Sequence, residues 1–119
     1  LPTGEEPVAG IYDLNDGPSL KGRGFDDAWT DITDRGADGS TSAVFTRPDG
    51  IEVKLIGDAT INAWQCYPAT GAPFAEHPYG IAVEPMTAPA NAFRTGDHLV
   101  TIAPGDDYTT VVRYEVSAK

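Results

Sequence analysis

The chain predicts an all-β fold, an antiparallel β-sandwich, on three observations. Short apolar runs recur from end to end, and thirteen Gly and ten Pro are scattered between them as turn punctuation. Several of these runs alternate apolar and polar residues with the period of two that a half-buried strand demands. No amphipathic helix of ordinary length and no internal repeat appears. At 119 residues the chain is one domain or less, near the size at which a single core becomes comfortable. Apolar residues make up 40% and charged residues 22%, values of a globular chain that exclude the disordered class.

Residues 1–24 are rich in Gly, Pro, Asp and Asn and read mostly as loop, with one short strand at Val8–Tyr12. So long an irregular opening suggests a neighbour that it embraces. The stretch from Phe25 to Ile32 is a helical turn or a short strand, since its periodicity does not decide. Ser42–Arg47 and Ile51–Gly57 predict a hairpin joined at Pro48-Asp49-Gly50. Pro48 presets φ for the turn and Gly50 permits a tight exit. Within the second arm Ile51, Val53 and Leu55 share one face and Glu52 and Lys54 the other.

Thr60–Tyr67 has no wholly polar face and reads as a central strand covered on both sides. A proline-containing loop, residues 68–78, leads to a strand at Tyr79–Glu84, where Pro85 is expected to stop the pairing. Tyr79, Ile81 and Val83 fall on an apolar face. Gly80, Ala82 and Glu84 fall on the other, where a hydrogen and a methyl leave space in front of the carboxylate. A second long loop, residues 85–96, precedes two closing strands, His98–Ala103 and Tyr108–Ser117, around Pro104-Gly105-Asp106-Asp107.

The net charge of −10 argues against nucleic acid and anionic lipid as partners, because both need a basic face. It suits a neutral ligand. Cys66 is the only cysteine, so an internal disulfide is excluded, and its apolar setting marks a small core residue. No apolar stretch approaches a membrane span and no signal-peptide pattern opens the chain, from which a cytoplasmic location is expected. The first residue is Leu1 and not methionine, which suggests a processed, truncated or partial polypeptide.

The segment Ala82-Val-Glu-Pro-Met-Thr-Ala-Pro-Ala-Asn-Ala-Phe93 resembles the C-terminal signature of the aldose 1-epimerases, or galactose mutarotases. Two further segments are similar to that family. Gly24-Phe25-Asp26-Asp27-Ala28-Trp29 looks like its motif of a small residue, an apolar residue and an aspartate ahead of an aromatic. Trp64-Gln65-Cys66-Tyr67 looks like its strand written apolar, Gln, apolar, Tyr. The resemblance covers Pro7 to Lys119 and implies the C-terminal part of a mutarotase-like β-supersandwich, with the N-terminal part missing, either in cis or as a separate chain.

By this resemblance Glu84 is the catalytic base, and Asp26 and Gln65 bind the sugar. Opening a hemiacetal needs a base to take the C1 hydroxyl proton and an acid to protonate the ring oxygen, with no metal or cofactor. Each well-placed group is worth about 10²–10⁴ in rate. A glutamate of ordinary pKa, about 4.3, is ionised at neutral pH and competent as a base. Asp26 suits hydroxyl binding because a carboxylate accepts two charge-assisted hydrogen bonds, although adjacent aspartates are commonly solvated turn residues. Gln65 is equally well explained as a glutamine hydrogen-bonded at a sheet edge. Trp29, Trp64 and Tyr67 either stack on a pyranose or, as most large aromatics do, fill the core.

The chain departs from the family at the general acid, which there is a histidine of the N-terminal part. His77 and His98 are the only histidines, and neither lies in a matching motif or at metal-ligand spacing. Two other functions remain open. One is a non-catalytic carbohydrate-binding β-sandwich module; the other is a relative that senses a sugar phosphate, against which the shortage of Lys and Arg, eight in all, weighs. An aldohexose such as galactose or glucose is the expected ligand, with the preference between them open.

Overall fold

The computed structural model describes residues 4–69 and 80–118. Among these residues six strands form two antiparallel three-stranded sheets: β1 (Asp27–Trp29), β2 (Thr41–Thr46), β3 (Ile51–Gly57), β4 (Ala63–Ala69), β5 (Gly80–Met86) and β6 (Val112–Ala118). One sheet has the order β1-β4-β5 and the other β2-β3-β6. The protein is an all-β sandwich, as its composition and turn spacing predict.

The hairpin β2–β3 forms where the alternation places it. Gly50 takes a φ of 83°, and its N–H closes the turn on the Arg47 carbonyl at 3.0 Å. Ala43 pairs with Leu55, which pairs in turn with Tyr114 of β6, so these three share the inner face. From the other sheet Trp64 of β4 and Val83 of β5 meet that face. Leu55, Ile61 and Trp64 are the buried centre, with Ile32, Ala43, Val53, Val83 and Val112 packed around them. The Trp64 indole N–H donates to the hydroxyl of Thr41 at 3.2 Å, so the one polar atom of the ring is satisfied as it crosses between the sheets. Ile61 is 1% exposed, and Gly57 lies so close to it that any Cβ there would overlap the Ile61 side chain.

Several local expectations are corrected. Val8–Tyr12 is not a strand: Gly10–Tyr12 is a short 3-10 turn, opened by Gly10 at a φ of 60° and closed by the Asp13 N–H on the Gly10 carbonyl. The rest of residues 4–24 is irregular, as expected, and held by Arg23, whose guanidinium donates to the carbonyls of Ile11 (2.6 Å) and Ser19 (3.1 Å). The ambiguous stretch after it resolves as strand β1. β4 starts later than expected and runs through Pro68 to Ala69, and it is central, between β1 and β5.

Pro85 does not stop the pairing. β5 continues through it, with Pro85 opposite Trp64 and Met86 opposite Ala63. β5 is an edge strand, where a missing N–H is tolerated because one side of the strand has no ladder to break. Residues 98–103 do not form a strand. His98 sits in a turn at a φ of 51°, and Leu99 and Ile102 are exposed with no sheet partner. The turn expected at Pro104–Asp107 is present, with the Asp106 N–H on the Ala103 carbonyl, but β6 begins only at Val112. Tyr79 and the loop bearing His77 lie outside the described residues.

Candidate functional site

β4 is the axis of the site. Along the smaller sheet Ala28, Gln65 and Glu84 stand in one cross-strand row, on β1, β4 and β5. Opposed residues in an antiparallel ladder point to the same face, so the Gln65 amide and the Glu84 carboxylate leave the sheet side by side. On that face the row is flanked by Tyr67, opposite Ala82, on one side and by Met86, opposite Ala63, on the other. Ile81 and Val83 turn inward, as the alternation predicts.

Asp26 reaches the same face from the other side. It shares the parity of Ala28, and Gln65 Nε2 donates to Asp26 Oδ1 at 2.7 Å. Phe25 anchors that approach. It is buried, with ring centroids 5.2 Å from Trp29 and 6.4 Å from Tyr12, and the Trp29 indole donates to the Tyr12 carbonyl at 2.9 Å. Tilted aromatic contacts of this kind contribute about 0.5–1.5 kcal/mol each beyond their buried area. Trp29 and Trp64 are thus structural, one in this cluster and one in the core.

The exit of Glu84 from the sheet is held as well. Just beyond it the Met86 carbonyl accepts the Asn62 N–H at 2.8 Å, and the Thr87 carbonyl accepts the Asn62 side-chain amide at 3.0 Å. The segment then folds into a single helical turn, α1 (Ala92–Thr95), which buries Ala92 and ends on Gly96 at a φ of 81°. Arg35 fixes the other side of Asn62: its guanidinium donates to the carbonyls of Ile61 (2.8 Å) and Gly39 (2.9 Å).

Glu84 is exposed, Gln65 half-buried and Asp26 exposed. The ion pairs among the described residues, Arg47–Asp49 and Arg113–Glu115, leave both acids of the row outside them. Behind the row Cys66 is buried, and burial first, then the negative charge of Glu84, push its thiol up to about 11. An apolar cavity of about 590 Å³ lies between the two sheets, lined by Phe45, Val53, Leu55, Ile81, Val83 and Tyr114. It is on the opposite side of β5 from Glu84. Among the described residues the acid–amide–acid row lies on an exposed sheet face.

Chemically, that face offers carboxylate acceptors at both ends and a primary amide between them. One N–H of the amide is engaged by Asp26, and its other N–H and its carbonyl remain to meet a ligand. Such a row suits a hydroxyl-rich neutral molecule. Among the described residues no group of three His, Cys, Asp or Glu side chains is placed to hold a metal ion. No helix among them is long and apolar enough to cross a membrane.

Asp58, an acid the sequence does not single out, accepts three hydrogen bonds. Its carboxylate accepts from the hydroxyl and the N–H of Thr60 and, at 2.9 Å, from the N–H of Val111. These bonds, the Thr60 hydroxyl first, hold its pKa below the ordinary value of 3.8. The Asp-Ala-Thr order after a strand end is an Asx-turn signal, but its reach to Val111 is a tertiary contact that no local pattern contains.

Comparison with protein-family models, with curated proteins and with solved structures finds no match for the chain.

Proposed function

We propose that the chain is the base-bearing portion of an aldose 1-epimerase-like carbohydrate isomerase, with Glu84 as the base and Asp26 and Gln65 as sugar contacts. The observation that carries this is the convergence of the three on one sheet face: Glu84 opposite Gln65, and Gln65 bonded to Asp26 at 2.7 Å. They come from three separate segments, each of which resembles a mutarotase motif.

In the reaction Glu84 accepts the proton of the C1 hydroxyl while an acid protonates the ring oxygen, and the ring opens to the aldehyde. Rotation about C1–C2 and reclosure on the other face invert the anomeric carbon, with acid and base exchanging roles. Asp26 and Gln65 hold neighbouring hydroxyls so that C1 stays over the Glu84 carboxylate. The acid belongs to the N-terminal part of a β-supersandwich, outside these 119 residues. His98, in an exposed turn beyond α1, is not part of the row. The open face and the exposed Phe93, Leu99 and Ile102 are what a surface awaiting that part would present.

A second function is favoured by the same openness. The row alone, exposed on its sheet face, is sufficient for a carbohydrate-binding module. Polarimetry on α-D-galactose and α-D-glucose separates the two. The isomerase assignment predicts slow equilibration with the 119-residue chain alone and fast equilibration with the polypeptide that includes its N-terminal complement. Sugar binding with no acceleration in either preparation replaces it with the binding module.

A further inference from the structure

We propose that the protein forms a two-fold symmetric dimer through antiparallel pairing of β6 with β6 of a second copy. Among the described residues β6 is an edge of the larger sheet: one side pairs with β3 along seven residues, Val112 to Ala118, and no described strand lies on the other. Its inner row continues that of β3, with Val116 opposite Val53, Tyr114 opposite Leu55 and Val112 opposite Gly57. Val112 packs on the core, but Tyr114 is 64% and Val116 69% exposed. A long edge strand with an apolar row and no covering is a template for another strand.

The order of charges on β6 identifies a second copy as that strand. Arg113 and Glu115 project from the outer face and pair with each other at 3.1 Å, with Lys54 of β3 opposite Glu115 and the Asp38 carboxylate within the field of Arg113. In antiparallel pairing about a two-fold axis normal to the sheet, some residue stands opposite itself. Centred on Glu115, the pairing sets two carboxylates together; centred on Arg113, two guanidinium groups. Centred on Tyr114, Arg113 meets Glu115 of the second copy, twice by symmetry. The inner row then matches Val112 with Val116 and Tyr114 with Tyr114. Of the three registers centred in the middle of the strand, charge and apolar complementarity favour this one, and it alone pairs Arg113 with Glu115. The other edge strand, β2, reads Thr-Ser-Ala-Val-Phe-Thr and has no charge pair to select any.

The dimer is a six-stranded sheet, and it does not depend on the sugar row, which lies on the other sheet. Sedimentation equilibrium of the 119-residue chain over a wide concentration range, at an ionic strength of about 0.15 M to screen the net charge, is the first measurement. A monomer–dimer equilibrium is expected. Arg113→Glu should raise the dissociation constant by about tenfold or more, and adding Glu115→Arg should recover most of that loss. Circular dichroism melts confirm that both variants fold. In the Tyr114→Cys variant, air oxidation should join the copies faster than in Val44→Cys, an exposed position on β2. A mass that stays at 12.6 kDa throughout overturns the proposal. So does a dimer indifferent to Arg113→Glu, or cross-linking at position 114 no faster than at 44.

Discussion

Glu84 stands directly opposite Gln65 in the β4–β5 ladder, so the carboxylate and the amide share one face and one row. Gln65 holds Asp26 through its amide N–H, and the row extends across all three strands of the smaller sheet. Two groups so linked should not act independently. Gln65→Met and Asp26→Ala should each weaken sugar binding, and the double variant should lose less than the sum, with a coupling of about 0.5–3 kcal/mol. Titration calorimetry with galactose on the four proteins measures it. Additive losses would separate Asp26 from Gln65, and unchanged affinity would return Asp26 to the solvated surface.

Asp58 ties the corner between β3 and β4 to the start of β6. Its folded pKa lies below the ordinary carboxylate value, so the folded state binds fewer protons than the unfolded one in that range. The stabilisation is therefore complete above about pH 4 and lost as pH falls through the depressed folded value. Asp58→Ala should lower the melting temperature at neutral pH and flatten its decline below pH 4. A variant that melts like the parent at neutral pH, or declines as steeply in acid, would contradict this role.

Gly57 leaves no space for a methyl, because Ile61 fills it. Gly57→Ala should cost about 1–3 kcal/mol through overpacking, read from the urea midpoint. Ile61→Ala, which empties the same place, should cost about 2–5 kcal/mol. A neutral Gly57→Ala would mean that β3 and the Ile61 turn separate more easily than their packing indicates.

Cys66 is buried and its thiol is pushed up to about 11, so thiolate is scarce at pH 8. Ellman's reagent should react slowly with the native protein and at once in denaturant. Rapid native reaction would show that β4 is not covered on its inner side.

Much of the sandwich was legible because its strands obey local rules. The hairpin β2–β3 follows from alternation and a Pro-Asp-Gly turn, and the faces of β5 follow from parity alone. Where the reading failed, tertiary position decided. Pro85 is harmless because β5 lies at an edge, and a single sequence does not show which strands are edges. Residues 98–103 are as apolar and β-branched as a strand but find no partner among the described residues, since strand formation depends on a neighbour as much as on composition. At the candidate site the residue types were legible and the link was not. Asp26 and Gln65 are 39 positions apart, and nothing local to either predicts their hydrogen bond.

The base role of Glu84 is tested most directly by polarimetry on the complete polypeptide with Glu84→Gln. The substitution keeps the shape and one acceptor oxygen, and replaces the basic carboxylate oxygen with a donating NH2. Mutarotation of α-D-galactose should slow by about 10²–10⁴-fold, about 3–5 kcal/mol of barrier, with the melting temperature unchanged. A rate within about tenfold of the parent would contradict it, since a positioned base contributes more than that.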